Sequence, residues 1–394
     1  MKIGLVLAAP PGYSETFFMS KIKGLQAQGM EVVLFSQTKS STFTLCATKV
    51  AYPFVKSNLL KQLFWGGVVC FRLLWHFKRV VKFISLEQRA KRSLPAIIKN
   101  LYASAHILTV TLDWLHFGFA TMALGKEHVA KSIGAKMAVS LRGFDIAIYP
   151  IKHEGCYKHL WLQVDKLHTI SNDLYDLAVR NGLSKTIPYQ KITPAIDVRL
   201  FKAGEKYFSE SGTDLTLLTV ARLHWKKGLL ETLKALTLLK AQGVAFTYTI
   251  VGAGPLKEEL VYTIHLLGLN DHVVLAGVKS PESVKDMLEK HEVYIQYSIS
   301  EGFCNALLEA QAMGLLCVAS DAEGLPENVK HETSGWIVPK SAPEALATQL
   351  LKVSTLPLEE KQRISRQAVN RVRKLFDIEQ QKQAFEEFYL NYPN

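Results

Sequence analysis

Two glutamates in the last third of the chain, Glu301 and Glu309, are spaced so that they could hold sugar hydroxyl groups. They flank a predicted helix start near Asn305. Eight helical residues give about 12 Å of rise and about 80° of turn, so both carboxylates would lie along one side. Glu309 has apolar neighbours in sequence, and a buried carboxylate needs a polar partner. Taken alone, the spacing favours simpler roles, with Glu301 complementing the helix dipole and Glu309 facing solvent.

Two cations, Arg222 and Lys227, stand five residues apart in a loop between a predicted strand and a predicted helix. Together with a helix N-terminus they could clamp a diphosphate and stabilise it as a leaving group. A solvated basic loop explains them equally well. Nearby, the turn Ile250–Pro255 includes Gly254 and would let backbone approach a ligand closely. It lacks the third glycine and the acidic residue of the dinucleotide-binding fingerprint.

The first half of the chain contributes polar residues next to predicted strands. His116 follows one strand and precedes a helix, and Arg142 and Asp145 follow the next strand. The His116 ring could bind a sugar hydroxyl group. A packed interior histidine is an equally good interpretation.

Short apolar runs alternate with helical patterns along the chain, which is typical of parallel sheets flanked by helices. The predicted strands of the first half are Ile3–Ala8, Glu31–Phe35, His106–Thr109, Met137–Ser140 and Leu167–Ile170. Those of the second half are Leu215–Val220, Thr247–Val251, Val273–Ala276, Val293–Gln296 and Leu316–Ala319. Gly228 to Ala241 predicts a helix that stops at Gly243, and Ser280 predicts a helix cap.

The length of 394 residues suits two domains of common size. The charged stretch Arg199–Thr213 is the predicted junction. The five cysteines are scattered without metal-ligand or redox spacing, which favours a reducing compartment. No uncharged apolar run reaches the length of a membrane span, so none is predicted.

The net charge of +12 is unevenly distributed. Residues 1–195 contain 25 Lys and Arg against 10 Asp and Glu, and the remainder contains 22 against 25. The segment Lys56–Arg92 is basic and aromatic at helical spacing, which predicts either an amphipathic surface that docks on anionic lipid or an ordinary core helix, with equal weight. If the surface docks, neutralising Lys78, Arg79 and Lys82 should weaken vesicle binding. Binding to nucleic acid is disfavoured because no recognised motif accompanies the charge.

The ordered motifs together resemble glycosyltransferase family 4, a family of retaining enzymes with the GT-B fold. The resemblance spans the chain and is strongest over Leu215–Pro339. It rests on Arg222 with Lys227-Gly228, then GAGP, AGV, EGFCNALLEAQAMG, DAEGLPE and SGWIVP. It implies an α/β fold of two doubly wound Rossmann-like domains facing across a cleft. Residues 1–198 would bind the acceptor, residues 199–375 the nucleotide-sugar, and residues 376–394 would form a helix that crosses back to the first domain.

The resemblance also implies residue roles. Arg222, Lys227 and the loop beginning at Gly12 would bind the donor diphosphate. Glu309 would hold the ribose, and Glu301 would contact the transferred sugar near its reacting carbon. The other implied contacts are the backbone of Gly302, Phe303, Cys304 and Asn305 for sugar or phosphate, Gly254 and Val278 near the base, and His116 facing the donor sugar.

Two departures from the family pattern concern selectivity and the cleft between the domains, respectively. Arg142 stands where many relatives have a histidine before Gly-x-Asp, which affects acceptor or sugar choice near Asp145. Pro194-Ala195-Ile196-Asp197 replaces a more usual Asn-Gly-Ile-Asp.

The resemblance predicts neither cofactor nor metal, a UDP- or GDP-linked donor, and a saccharide or lipid-linked acceptor. The PGYSETFF start is similar to bacterial polysaccharide-assembly members, and together with the basic first half it predicts a setting at the inner face of the plasma membrane. A sugar-nucleotide epimerase and a non-catalytic assembly subunit remain alternatives on the same fold. A nicotinamide oxidoreductase is disfavoured because the glycine fingerprint is missing.

Overall fold

The computed structural model describes residues 1–12, 16–55, 57–202, 204, 208 and 214–392. The chain forms two compact units, Met1–Ile192 with Lys382–Asn394, and Thr193–Gln381. The first unit therefore ends a few residues before the predicted boundary at 198, and the chain returns to it within the predicted C-terminal segment. Most of the predicted junction Arg199–Thr213 lies outside the described residues.

The first unit is built on a seven-stranded sheet whose neighbouring strands are all parallel. Its strands are β1 (Lys2–Val6), β2 (Glu31–Ser36), β3 (Ala47–Val50), β4 (Trp114–Phe117), β5 (Lys136–Leu141), β6 (Lys166–Thr169) and β7 (Tyr189–Lys191), in the order β3-β2-β1-β4-β5-β6-β7. Its helices are α1 (Thr16–Ala27), α2 (Leu59–Leu74), α3 (Phe77–Arg89), α4 (Leu94–Leu108), α5 (Val129–Ile133), α6 (Tyr149–Lys152), α7 (Lys158–Trp161) and α8 (Asn172–Arg180). A 3-10 turn at Ala120–Ala123 and a π-helical turn at Phe144–Ile148 complete it.

The second unit contains a six-stranded parallel sheet. Its strands are β8 (Leu215–Val220), β9 (Phe246–Val251), β10 (Val273–Gly277), β11 (Val293–Gln296), β12 (Leu316–Ser320) and β13 (Trp336–Val338), in the order β10-β9-β8-β11-β12-β13. Its helices are α9 (Leu229–Ala241), α10 (Lys257–Leu266), α11 (Pro281–Lys290), α12 (Asn305–Ala312), α13 (Leu325–Asn328), α14 (Pro343–Ser354) and α15 (Leu358–Leu375). The predicted helices are confirmed as α9 and α11, and Ser280 caps α11 by accepting a hydrogen bond from the Ser283 amide.

The last helix, α16 (Ile378–Leu390), begins in the second unit and ends in the first. There Phe385 and Phe388 are fully buried against the sheet, and the Phe388 ring lies 6.2 Å from that of Trp114 on β4. The Lys166 ammonium donates to the Phe388 carbonyl oxygen over 2.7 Å. The end of the chain is therefore part of the core of the first unit.

One predicted strand is wrong. Residues 106–109, interpreted as a strand because of their β-branched and apolar types, form the end of α4 and its C-cap. The side chains of Ile107 and Leu108 are fully buried, so tertiary packing decides the conformation there. The strand in that part of the chain is β4, which contains His116. The short strands β3, β7 and β13 were also missed, since three or four residues give too little pattern.

Both units are Rossmann-like α/β domains, as the sequence predicted. In the second unit the strand order reverses between β8 and β11. Connections from these two strands run in opposite directions, which leaves a crevice at the carboxyl ends of the strands where open parallel sheets bind ligands.

Candidate active site

Four loops leave the carboxyl ends of neighbouring strands in the second unit and are joined by backbone hydrogen bonds. They follow β8, β9, β11 and β12 and comprise residues 221–228, 252–256, 297–304 and 321–324. The bonds run from the Leu223 amide to the Ala253 carbonyl (3.0 Å), from Ile299 to Lys226 (2.7 Å) and from Gly324 to Glu301 (2.9 Å). The loops after β8 and β11 border the crevice, so ligand-binding groups are expected on them.

Glycines allow these loops to approach one another. Gly228 has a φ of +59°, and a Cβ atom there would lie 1.9 Å from the Tyr297 carbonyl oxygen. A Cβ atom at Gly324 would lie 1.8 Å from the carbonyl oxygen of Gly302. Since atoms cannot approach so closely, any side chain at either position would push the loops apart.

Lys227 and Glu301 form an ion pair between the loops after β8 and β11. Their side chains are only 17% and 15% exposed. Burial alone would lower the pKa of Lys227, but the neighbouring Glu301 carboxylate outweighs this effect and the pKa is raised. The structure therefore brings together Lys227, predicted to bind the diphosphate, and Glu301, predicted to contact the sugar, as a charged pair.

Glu323 is a site residue to which the sequence analysis gave no role. Its carboxylate accepts a 2.6 Å hydrogen bond from the Glu301 amide and a 3.2 Å bond from the Lys340 ammonium. Its φ of +25° lies in the left-handed region, which is strained for a residue with a side chain. Glu323 thus fixes the backbone that carries Glu301. The sequence signal that could have identified Glu323 is an acidic residue before a glycine, Gly324, in the loop after a predicted strand.

Arg222 adds positive charge beside this pair. Its side chain is exposed, and within the described part of the chain it makes no hydrogen bond or ion pair. Burial lowers the pKa of His224, and the cations Arg222 and Lys226 lower it further. A cluster that disfavours another positive charge in this way favours an anion.

Glu309 lies in the second turn of α12 and is partly exposed. Burial raises its pKa to about 7, and its carboxylate has no hydrogen-bond partner among the described residues. Because α12 begins at Asn305, only the second half of the Glu301–Glu309 interval is helical, so the separation expected for eight helical residues does not apply. Glu309 is therefore a partly exposed carboxylate on the helix after the Glu301 loop, with no hydrogen-bond partner in the described part of the chain.

The start of α12 was predicted to offer backbone amides and small polar groups to a ligand. The Cys304 amide donates to the Asn328 side-chain oxygen over 3.1 Å, so this amide is already engaged within the protein. Phe303 and Cys304 are buried, and burial raises the pKa of the Cys304 thiol to about 12, which keeps the thiol neutral. Gly302 and Asn305 are partly exposed and remain candidates.

The two residues predicted to lie near the base follow adjacent strands. Gly254 lies in the loop after β9, where a Cβ atom would be 2.3 Å from the Leu223 carbonyl oxygen. Val278 follows β10 and is 71% exposed. Both therefore lie at the carboxyl edge of the sheet that carries Lys227.

His116, predicted to face the donor sugar, lies within β4 and is fully buried. Its ring nitrogens are 2.6 Å from the Tyr389 hydroxyl and 2.8 Å from the Ser140 hydroxyl, and Ser140 also contacts His168 over 2.7 Å. Burial, followed by the neighbouring Lys21 ammonium, holds the pKa of His116 well below its ordinary value. The structure places His116 as a packed interior histidine, the alternative that the sequence left open.

The other first-unit candidates also have structural contacts. The Arg142 guanidinium lies 3.8 Å from the centre of the Phe17 ring and 4.5 Å from that of Phe18. Asp145 is fully buried and accepts hydrogen bonds from the amides of Ala120 (2.9 Å) and Arg142 (3.0 Å). Burial raises the pKa of Asp145 to about 6, against the opposing effect of these amides. Asp145 therefore braces its loop and faces no solvent.

Gly12 is exposed in the loop after β1. The three residues that follow it, which complete the predicted diphosphate loop, lie outside the described part of the chain.

The first unit also contains a cavity of about 290 Å³ that the sequence did not predict. It lies at the carboxyl ends of β1, β2 and β3 and is lined by side chains that include Ser36, Gln37, Tyr52, His106 and Lys126. Burial lowers the pKa of His106 to about 4, and the positive charges of Lys126 and Lys49 add to the effect. No acidic side chain among the described residues lines the cavity, and its basic side chains favour a neutral or anionic ligand.

Among the residues that the structure describes, no group of three or more His, Cys, Asp and Glu could hold a metal ion.

Comparisons with known proteins define the class. The family model described as "Glycosyl transferases group 1" matches residues 205–371. The putative colanic acid biosynthesis glycosyltransferase WcaL of Escherichia coli (strain K12) is 30% identical over 388 residues, which cover 91% of this chain and 92% of that protein. The amylovoran biosynthesis glycosyltransferase AmsK of Erwinia amylovora is 33% identical over 276 residues, 68% of this chain and 66% of that protein. The protein is a glycosyltransferase. It belongs to the glycosyl transferases group 1 family.

A solved structure supports the fold. The Anabaena protein Alr3699/HepE, in complex with UDP and glucose, has a TM-score of 0.70 over 98% of both chains, at 17% sequence identity. At this identity the likeness concerns the fold alone.

Proposed function

We propose that this protein is a retaining glycosyltransferase of family 4 that transfers a sugar from a nucleotide-sugar to a saccharide or lipid-linked acceptor in bacterial exopolysaccharide assembly. The observation that carries the proposal is the Lys227–Glu301 pair at the carboxyl edge of the second sheet, beside the exposed Arg222. Glu309, on the helix that follows the Glu301 loop, adds a carboxylate with a raised pKa and no hydrogen-bond partner among the described residues. The names of the relatives WcaL and AmsK support the polysaccharide setting. The UDP and glucose bound by the Anabaena protein support the donor class.

On binding, the donor would replace the contact between Lys227 and Glu301 with contacts to itself. Its diphosphate would accept hydrogen bonds from Arg222 and Lys227, because a guanidinium and an ammonium are both good phosphate ligands. Glu301, released from Lys227, would accept hydrogen bonds from the transferred sugar. Glu309 would accept hydrogen bonds from the ribose hydroxyl groups, which would supply the partner that its half-buried carboxylate lacks.

Catalysis in this proposal is electrostatic. As the bond between sugar and diphosphate breaks, negative charge develops on the leaving diphosphate, and Arg222 and Lys227 are positioned to neutralise it. These two cations would do so without a metal ion. The acceptor hydroxyl would attack from the face that the diphosphate leaves, which retains the configuration at the sugar carbon.

The acceptor would bind to the first unit. Its cavity of about 290 Å³ is lined largely by apolar side chains, among which lie the hydroxyl, amide and basic groups of Ser36, Tyr52, Gln37, His106 and Lys126. These groups suit hydroxyl groups or a phosphate. We place the reaction at the inner face of the plasma membrane, where a lipid-linked acceptor and cytoplasmic nucleotide-sugars meet.

The first test is thermal denaturation of the wild type and of Glu309→Ala with a panel of nucleoside diphosphates and their sugars. A ligand that binds only the folded state raises the melting temperature according to its affinity. We expect one nucleoside diphosphate to stabilise the wild type and to have a smaller effect on Glu309→Ala. Glu258→Ala, at an exposed position on α10 in the same unit, is the matched control. If no nucleotide shifts the wild type at saturating concentration, the proposal of a nucleotide-sugar site fails and a non-catalytic assembly subunit is favoured.

A further inference from the structure

The α2–α3 hairpin of the first unit exposes an unusual amount of apolar surface. Nine large apolar side chains between Leu59 and Val81 are each 60 to 79% exposed. They are Leu59, Leu60, Leu63, Phe64, Phe71, Leu74, Trp75, Phe77 and Val81. On α2 itself, only Val69 and Leu73 are buried. Such a concentration of exposed apolar side chains marks an interaction surface.

The exposed apolar side chains form a stripe. At 3.6 residues per turn, Leu60, Phe64, Phe71, Leu74 and Trp75 fall within an arc of about 100° on the α2 helix. Val69 and Leu73 lie on the opposite side and pack toward the body of the unit. The helix is therefore apolar on two sides, one of which is satisfied by the fold. We call the other side, with Trp75 and Phe77 at the corner, the docking face.

The charge around the docking face is of one sign. Lys61, Lys78 and Lys82 are exposed on α2 and α3. Glu87 is the one acidic residue in the segment from Lys49 to Arg92, and it is fully buried. Its carboxylate accepts hydrogen bonds from His128 (2.6 Å) and Asn100 (2.8 Å), so it does not offset the lysines at the surface.

We propose that the docking face binds an anionic lipid bilayer, with α2 lying in the interface parallel to the membrane surface. Aromatic side chains together with flanking lysines are the combination that interfacial helices use to bind anionic membranes. A second protein chain fits less well, because the rim of the face contributes positive charge alone. Membrane binding is a property of the first unit's surface and is separate from the proposed reaction.

The helix lies on the membrane and does not cross it. With 16 residues α2 is about 24 Å long, which is short of the hydrocarbon thickness of about 30 Å. Its buried side is also held by the fold. None of the described helices is both long and apolar enough to span a bilayer.

The structure shows which basic residues can be neutralised in a vesicle-binding experiment without disturbing the fold. Arg79 donates hydrogen bonds to the carbonyl oxygens of Leu108 (2.9 Å) and Val110 (3.0 Å) and to the Thr111 hydroxyl (2.7 Å). Neutralising Arg79 would therefore disturb the fold as well as the charge. Lys78 and Lys82 are exposed and provide the cleaner test.

The test is flotation of the full chain with vesicles of phosphatidylglycerol in phosphatidylcholine and with vesicles of phosphatidylcholine alone. We expect binding to the anionic vesicles, weakened about 25-fold in the double variant Lys78→Gln/Lys82→Gln, since each lysine contributes a factor of about five. Phe71→Ser/Trp75→Ser should weaken binding by about tenfold or more per side chain. The matched controls, Lys257→Gln/Lys290→Gln and Tyr262→Ser/Leu266→Ser, change exposed residues of the second unit and should bind like the wild type.

Trp75→Phe adds a readout of insertion. This variant should keep vesicle binding and lose most of the quenching of tryptophan fluorescence by brominated lipid. Equal vesicle binding by the wild type, Lys78→Gln/Lys82→Gln and Phe71→Ser/Trp75→Ser would overturn the proposal, as would a lack of binding to anionic vesicles. So would a dimer in solution that Phe71→Ser/Trp75→Ser dissociates, because a second copy would then cover the face. Nucleoside diphosphate binding by the same variants tests the proposed reaction separately.

Discussion

At the scale of single residues, Glu309 is the most informative group in the site. It is a half-buried carboxylate with no partner among the described residues, and burial raises its pKa to about 7. At pH values between the ordinary pKa of 4.5 and about 7, Glu309 is therefore protonated in the folded, ligand-free protein and ionised in the unfolded chain. Linkage requires that its contribution to stability falls as pH rises through this window. A ligand that donates hydrogen bonds to the ionised carboxylate would offset this loss of stability.

We expect nucleoside diphosphate affinity to rise with pH between about 6 and 8 more steeply in the wild type than in Glu309→Gln. Below pH 7 the wild type must release a proton to form the ionised acceptor, which adds up to about tenfold in Kd per pH unit. Calorimetric titrations of both proteins over this range measure the difference in slope. That difference is the relevant quantity, because the terminal phosphate of the ligand itself titrates near pH 6. Parallel pH dependences would show that Glu309 does not meet the ligand.

The sequence predicted these residues unevenly. Arg222, Lys227, Glu301 and Glu309 were recognised because they belong to ordered motifs around strand ends. The sequence did not predict that Glu301 pairs with Lys227 or that Glu323 holds the Glu301 backbone. Both contacts join loops that meet only after folding. His116 shows the opposite limit, since the same local pattern serves an interior hydrogen-bond network whose partner Tyr389 is remote in sequence.

At the scale of elements, close packing of loops shapes the site. Gly228 and Gly243 both have positive φ, +59° and +77°, but a Cβ atom would meet another atom only at Gly228. Comparing alanine substitutions at the two positions therefore separates backbone strain from the close contact with Tyr297.

We expect Gly243→Ala to lower the free energy of unfolding by about 1 kcal/mol, the cost of left-handed backbone with a side chain. Gly228→Ala should cost several kcal/mol more and should also weaken nucleoside diphosphate binding, because Lys227 moves with the loop. Chemical denaturation and calorimetric binding measure both effects. If the two variants are equally stable and bind equally well, the packing of the loop after β8 does not position Lys227.

The elements were largely predictable where the pattern is long. Strands such as β8 and β11 match their predicted bounds because buried parallel strands are continuous apolar runs. The run at 106–109 has the same local appearance, yet it ends α4, because the packing of that helix against the sheet outweighs β-propensity. Short edge strands such as β7 and β13 depend on neighbours that the sequence does not reveal.

At the scale of the whole molecule, the chain returns to its first unit through α16. The side chains of Phe385, Phe388 and Tyr389 cover β4 and the hydrogen-bond network of His116. The last residues thus stabilise a sheet whose first strand begins at Lys2.

We expect Phe388→Ala to lower the free energy of unfolding of the first unit by about 3 to 5 kcal/mol, because it leaves a cavity against Trp114 and His116. Leu390→Ala, on the same helix at a side chain that is 55% exposed, should change it by about 0.5 kcal/mol or less. Denaturation with urea, followed by circular dichroism, compares the two. Similar stabilities would mean that α16 adds little to the first unit.

The ion pair between Lys227 and Glu301 has a consequence for the response to ionic strength. In the empty protein the charge of Lys227 is compensated internally and shielded from solvent, whereas Arg222 is exposed. Mobile salt ions therefore screen Arg222 far more than Lys227. Attraction of an anionic ligand over long range would depend on the exposed arginine more than on the paired lysine, and the lysine would act mainly after contact. In the proposed function, one cation would therefore attract the ligand from solution and the second would act in the bound state.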